Sequence, residues 1–171
     1  DALQEIVDAL AVNETYFFRE PAQIDLLSRV LVPEMLSRKS AAEKVRILSA
    51  GCATGEEPYS LAIALVERYG VSQARDRFRL IGVDIDRLAL DKARKGVYGR
   101  GAFRRLDPAL IERYFEPADE GRRAIRSEIR NLVDFKRRNL LETPYPDDLS
   151  AMDVVFYRNV SIYFEPEARL R

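Results

Sequence analysis

Apolar side chains at Ala2, Leu3, Ile6, Val7 and Leu10 recur with the spacing of one helical face. The pattern breaks at "NETYFFREP" and resumes behind Pro21, where Leu26, Leu27, Val30 and Leu31 predict a second helix. The period then changes. "VRILSA" (45–50) is a short apolar run closed by a glycine turn, the mark of a buried strand. Residues 58–69 return to helical spacing, with Leu61, Ala62, Leu65 and Val66 as the apolar stripe. "FRLIGVD" (78–84) predicts another strand, and "RLALDKARKG" a helix stopped by Gly96. Strand, helix, strand, helix in that order calls for a parallel sheet and an α/β fold.

Beyond residue 100 the rhythm differs. Within 100–138, "AIRSEI" and "LVDFKRR" alternate apolar and polar positions, which predicts half-exposed antiparallel strands and hence a small insertion in the α/β frame. "MDVVFYRNVSIYF" (152–164) returns to a buried strand. The expected organisation is a helical lead-in over 1–40 and an α/β core over 41–171, with the insertion at about 100–138. A strand at 153–158 left as an apolar edge is an association hazard. The chain is therefore expected to be a fragment of a longer protein, ending after the fourth core strand.

Composition narrows the chemistry. The 171 residues suffice for one domain with a core, and 47% hydrophobic with 33% charged residues is an ordinary globular balance. Basic and acidic residues both number 28, so net charge points to no polyanionic partner, and no nucleic acid is expected. No apolar run reaches the roughly 20 residues of a membrane helix, so no membrane insertion is expected. The single Cys52 excludes an intramolecular disulfide and suits a reducing compartment. The absence of histidine removes His-based triads and most zinc sites, and no metal is expected. The insertion, by contrast, carries 11 basic and seven acidic side chains, a local net of +4.

The chemistry concentrates in "SAGCATGEEPYSLAIAL", which leaves the carboxyl end of the first strand, where open α/β sheets bind ligands. Gly51 and Gly55 permit close backbone approach. A glycine turn before a helix usually cradles phosphate, yet Glu56 and Glu57 would repel one, so the loop suits a positively charged ligand. Both acids could equally do no more than complement the helix N-terminus. Asp84 closes the second strand, where a carboxylate in nucleoside-binding folds holds ribose hydroxyls, with Asp86 as its competitor. The glycine spacing is not the G-x-G-x-x-G dinucleotide fingerprint. Phe17 and Phe18 read as core and Arg19 beside Glu20 as a solvated pair, whereas Arg158, Asn159 and Tyr163 lie just past an apolar strand, where polar groups tend to be functional.

Taken in order and spacing, "NETYFFRE", "SAGCATGEEPYSLAIAL", "GVDID", "KARKGVYG", "RRNLL" and "YRNVSIYF" resemble the CheR-type chemotaxis receptor methyltransferases from about Ala11 to Phe164. The resemblance implies a Rossmann-like S-adenosylmethionine methyltransferase sheet with a small antiparallel β-subdomain. It implies a cytoplasmic enzyme that esterifies glutamate side chains on the cytoplasmic domain of chemoreceptors, leaving S-adenosylhomocysteine. An ammonium and a sulfonium on one ligand would explain an acidic glycine loop. By the same resemblance Asn13, Thr15 and Arg19 contact the cofactor, and Arg19 also stands at the methyl-transfer point. Glu57 matches the acid near the methionine ammonium, Asp84 the ribose acid, and Asn139 with Leu140 the pair lining the adenine. Arg158 and Asn159 match the strand-end pair and Tyr163 the tyrosine near the transferring methyl. Where family members often carry Cys before the Arg-Asn pair, this chain has Tyr157.

A glutamate acceptor, with an ordinary pKa near 4.3, is already ionised at neutral pH, so no general base is needed and the missing histidines cost nothing. Positioning of oxygen, methyl and sulfur in line then suffices, with Arg19 and Tyr163 expected to share it. Some members grip a receptor-tail peptide through a longer β-subdomain hairpin; the short link after "RYFEPADEGRRAI" favours recognition without that tether. Three other readings stand beside this one: a methyltransferase with another acceptor, a non-catalytic donor-binding signalling domain, and a nucleotide oxidoreductase.

Overall fold

The computed structural model describes residues 15–158. The helix expected over 2–10, and the site candidates Asn13, Asn159 and Tyr163, lie outside them.

Helix α1 (Pro21–Leu26) starts on a proline, whose fixed φ suits the first turn. It passes into a π-helical stretch, Leu27–Leu31, and then α2 (Val32–Arg38). Pro33 explains the widened turn. It has no N–H to return, its ring would crowd the preceding carbonyls, and the N–H of Val32 reaches back five residues to Leu27 O. Phe17, Ile24, Leu27 and Val32 are all buried and join the main core. The lead-in is thus packed into the sheet's covering layer.

Strand β1 (Val45–Ala50) leads through the glycine loop to α3, helical from Glu56 to Arg77. The expected stripe of Leu61, Ala62, Leu65 and Val66 is buried against the sheet. Gly70 interrupts α3 with φ 78° and ψ 162°, where the sequence pattern ends; a further helical stretch then leads into the next strand. Strand β2 (Phe78–Asp84) and helix α4 (Arg87–Lys95) fall where expected, with Gly96 as the stop.

The small sheet is built from β3 (Val97–Tyr98), β4 (Phe115–Pro117) and β5 (Arg123–Ile125) in the antiparallel order β3-β5-β4. Helix α5 (Pro108–Tyr114) lies between β3 and β4 along the chain. Two expectations about the insertion are corrected here. "AIRSEI" gives strand only as far as Ile125, and Ser127–Arg130 forms the short helix α6. "LVDFKRR" is indeed a strand, β6 (Val133–Arg137), but it pairs parallel with β2, Leu80 opposite Val133, and belongs to the main sheet. Its alternation reflects an outer strand of a parallel sheet, which among the described residues is only partly covered. That position produces the same apolar/polar pattern as a half-exposed antiparallel strand.

With β7 (Val154–Tyr157) the main sheet has the order β6-β2-β1-β7, all parallel. Ile47 pairs with both Leu80 and Val154, so β1 is central. The chain leaves β1 for β2 on one side and later returns to flank β1 on the other. The switch point therefore lies at the carboxyl ends of β1 and β7, the position where such sheets open a crevice. One face of the sheet carries the main core; Leu48, Ala50, Ile81, Val83 and Leu149 form a second cluster. Gly82 is needed for packing between strands: a Cβ there would lie 2.9 Å from the Phe135 ring and 3.0 Å from Cys52 Sγ. Among the described residues no helix is long and apolar enough to cross a membrane.

Candidate functional site

The loop leaving β1 is fastened to β2 by its own backbone. Gly51 N–H and Cys52 N–H both donate to Val83 O, at 2.8 and 2.9 Å, and Gly55 N–H donates to Cys52 O at 2.9 Å. Ala53 N–H donates to Asp84 Oδ2 at 2.7 Å, while Asp86 N–H donates to Asp84 Oδ1 at 2.9 Å. Gly51, Ala53 and Gly55 all have positive φ. Gly55, at φ 91°, also sits where a Cβ would come within 2.9 Å of Ala93 Cβ, so the start of α3 is pressed onto α4.

Asp84 and Asp86 separate cleanly. Asp86 is buried and caps α4 by accepting from Ala89 N–H at 3.0 Å. Asp84 is half-buried at the strand end; burial raises its carboxyl above the ordinary value, opposed by the backbone bonds it accepts. Glu56 and Glu57 separate as well. Glu56 is buried, accepts from Thr54 Oγ1 at 2.7 Å, and burial raises its carboxyl. Glu57 faces the switch point. It accepts from Ser49 Oγ at 2.7 Å and from Arg158, whose Nε and Nη2 each lie 2.6 Å from Oε2, both side chains being 14% exposed. Of the two adjacent acids read as suiting a positive ligand, one is thus buried and the other is offset by an arginine from β7's end.

Arg158 also ties in the Tyr16–Glu20 turn. Its Nη1 donates to Arg19 O and to Gln23 Oε1, both at 3.2 Å. Phe17 anchors that turn: it is fully buried, edge-on to Tyr98 and Phe115 at 4.8 and 4.9 Å and stacked on Phe103 at 5.5 Å. Its N–H donates to Ala102 O, and Phe18 N–H donates to Ser60 Oγ, both at 2.9 Å. Phe18 and Glu20 take φ values of 54° and 58°, a costly conformation for side chains with a Cβ, held by these bonds. Arg19, between them, has its guanidinium 5.7 Å from the Tyr16 ring centroid. Thr15 is half-buried at the entrance to the turn.

Asn139 and Leu140 follow β6 beside the same strand ends, since Arg138 N–H donates to Asp84 O at 2.8 Å. Asn139 Oδ1 accepts from Leu141 N–H at 3.1 Å, and Leu140 packs on the Leu48–Val83 cluster. Arg19, Gly51, Gly55, Glu57, Asp84 and Arg158 are thus linked through hydrogen bonds and one loop, with the Asn139–Leu140 pair on its far side. Cys52 is no nucleophile here: burial and the neighbouring Asp84 and Glu57 push its thiol well up, which keeps it protonated.

Four contributors were not anticipated: Ser49, Thr54, Ser60 and Gln23. Ser60 had a readable signal, a small polar residue inside the apolar stripe of α3. It is fully buried and donates to Glu56 O at 2.6 Å while accepting from Phe18. Ser49 had a weaker one, a hydroxyl at the end of an otherwise apolar strand. Thr54 and Gln23 are identified only by the partners that folding brings to them.

Comparison with known proteins adds a family to this geometry. Residues 13–171 match the family described as CheR methyltransferase, SAM binding domain. The chain is 36% identical over 169 residues to chemotaxis protein methyltransferase 2 of Vibrio cholerae, covering 99% of this chain and 58% of that protein. It is 31% identical over 169 residues to the chemotaxis protein methyltransferase of Borreliella burgdorferi, with 98% and 59% covered. It is 37% identical over 165 residues to the Escherichia coli chemotaxis protein methyltransferase, with 95% and 54% covered. The chain therefore spans somewhat more than half the length of these relatives.

Proposed function

The chain belongs to the CheR methyltransferase family, and from that premise we propose that it binds S-adenosylmethionine and directs methyl transfer to glutamate side chains of chemoreceptor cytoplasmic domains. The observation that carries this reading is the meeting of Glu57, Arg158 and the Arg19 turn at the β1/β7 switch point, with Asp84 across the loop.

The donor set suits such a ligand. Asp84 stands at the end of β2 with lone pairs beyond the two it uses, as a ribose diol requires. Glu57 offers a carboxylate for an ammonium, and the Arg158 pair fixes its orientation. Asn139 and Leu140 supply an amide and an apolar side chain for a purine. Gly51 and Gly55 keep the loop low enough for backbone approach. Asn13, Thr15 and Asn159 complete the proposed binding set.

The bound donor supplies an electrophilic methyl on a sulfonium. The chain's own part is to orient and to exclude water. The acceptor carboxylate arrives ionised, so no proton has to move. Arg19 can hold one acceptor oxygen by a charge-assisted bond, leaving the other to face the methyl, and Tyr163 shares the positioning. The held backbone of the turn, pinned through Phe17, Ser60 and Arg158, fixes where Arg19 starts from.

The test has two stages. Calorimetry should detect S-adenosylhomocysteine binding, weakened by Asp84→Ala, and no binding of a nicotinamide cofactor. Transfer of labelled methyl to receptor-bearing membranes should then disappear when acceptor glutamates become alanine. Arg19→Ala should lower turnover while S-adenosylhomocysteine still binds. Donor binding without any transfer by the full-length protein would instead favour a non-catalytic signalling domain.

A further inference from the structure

We propose that Tyr98, at the root of the inserted sheet, is a positioning residue for the glycine loop: it holds the Thr54 peptide and, through the loop, the carboxylate of Asp84. This rests on the S-adenosylmethionine-binding reading above. It adds to that reading a side chain that touches no ligand yet sets how tightly one is held.

The loop between β1 and α3 is costly to keep in shape. Gly51, Ala53 and Gly55 take φ values of 74°, 48° and 91°, and Ala53 carries a Cβ in that left-handed region. Such a backbone persists only where its surroundings fix it. Ala53 N–H donates to Asp84 Oδ2 at 2.7 Å, so whatever fixes this part of the loop also aims the carboxylate proposed for the ribose. Thr54, the next residue, is held twice. Its Oγ1 donates to Glu56 Oε2 at 2.7 Å, close by in the chain. Its carbonyl accepts from the Tyr98 hydroxyl at 2.8 Å, across 44 residues.

Tyr98 is itself firmly seated. It is buried in β3, opposite Arg123 of β5, with its ring edge-on to Phe17 at 4.8 Å and to Tyr59 at 6.4 Å. A phenylalanine would fill the same space and make both ring contacts with no polar atom to satisfy. The hydroxyl is therefore the part that packing does not explain, because a buried hydroxyl is tolerated only when paired. Burial, with Glu56 nearby, pushes the phenol well up, which keeps it protonated and able to donate. The ring bears on the anchor of the Arg19 turn while the hydroxyl holds the glycine loop. One side chain of the insertion thus joins the two segments from which the proposed site is built.

Tyr98→Phe removes the hydroxyl and keeps the ring. Tyr114→Phe is the matched control: Tyr114 is also buried in the insertion, and its hydroxyl donates to Glu67, about three turns along α3 from the loop. Calorimetry with S-adenosylhomocysteine should show affinity weakened at least about fivefold by Tyr98→Phe and changed less than about twofold by Tyr114→Phe, although each loses one hydrogen bond. Without ligand, the Ala53 and Gly55 amides should exchange at least about threefold faster in Tyr98→Phe and at the original rate in Tyr114→Phe, since opening the loop breaks only the Tyr98 bond. Para-aminophenylalanine at position 98, which can again donate, should restore affinity to within about twofold. Unchanged affinity in Tyr98→Phe, or an equal loss in Tyr114→Phe, overturns the proposal. If Tyr98→Phe loses its cooperative thermal transition, para-fluorophenylalanine at position 98, which keeps the side chain's length but cannot donate, decides on the same two measurements. Absence of S-adenosylhomocysteine binding in the unaltered chain sinks the underlying reading; binding there with unchanged affinity in Tyr98→Phe sinks the role of Tyr98 alone.

Discussion

The Glu57–Arg158 pair can be weighed by a double-substitution cycle. Glu57 accepts from Ser49 Oγ at 2.7 Å and from two nitrogens of Arg158 at 2.6 Å, in a setting where both side chains are 14% exposed. Removing one partner of a fully buried pair costs about 3–5 kcal/mol, chiefly because the other charge is stranded. Here Arg158 would retain Arg19 O and Gln23 Oε1, each at 3.2 Å, and the pair is not wholly dry. Glu57→Leu should therefore lower stability by about 2–3 kcal/mol, toward the weaker end for buried pairs. Arg158→Leu should cost a similar amount. The double variant, with neither charge present, should be no worse than either single one, giving a coupling of about 2 kcal/mol. Urea unfolding of the four proteins at neutral pH, without donor, measures all the corners of the cycle. Additive losses, with a coupling under about 0.5 kcal/mol, would mean the pair is a solvated surface contact.

Two further outcomes follow from the same loop. Gly55→Ala should destabilise by about 2–4 kcal/mol, combining a left-handed backbone with a Cβ 2.9 Å from Ala93, whereas Gly99→Ala, with open space around it, should stay within about 0.5 kcal/mol; thermal unfolding checks both. Burial raises the Glu56 carboxyl in the folded chain, so folding binds that proton more tightly, and stability falls as pH rises from the unfolded value through the folded one. Glu56→Gln should accordingly raise the melting temperature at neutral pH and lose that advantage below about pH 4, where the unsubstituted carboxyl is protonated in both states. An advantage that grows on acidification would contradict the burial argument.

The sheet was legible wherever the apolar period was unambiguous. β1 and β2 are buried on both faces and read as continuous runs, so 45–50 and 78–84 were found to the residue. β6 was found but misassigned, because a partly covered outer strand and a half-exposed antiparallel strand share one alternation. α6 was lost inside an apparent strand, since four residues are too few to establish a helical period. In the site, Asp84 and the adjacent pair Glu56 and Glu57 could be picked out as candidates from their places at a strand end and a helix start. The choice of Glu57 over Glu56 came from the family resemblance alone, not from position or spacing. In the folded chain it depends on Ser49 and Arg158, eight and 101 residues away from Glu57, and on which way the first turn of α3 faces the sheet.

The hairpin of the inserted sheet closes on itself, Ala118 N–H donating to Arg122 O, while the aromatic anchor of the Arg19 turn rests on Ala102, Phe103 and Phe115 at the base of that sheet. Residues added at the tip would cost little more than loop entropy, which grows slowly with length. Residues changed at the base would be felt in the turn that carries Arg19. The tip is thus free to vary in length, whereas the root of the same insertion is constrained by the turn it supports.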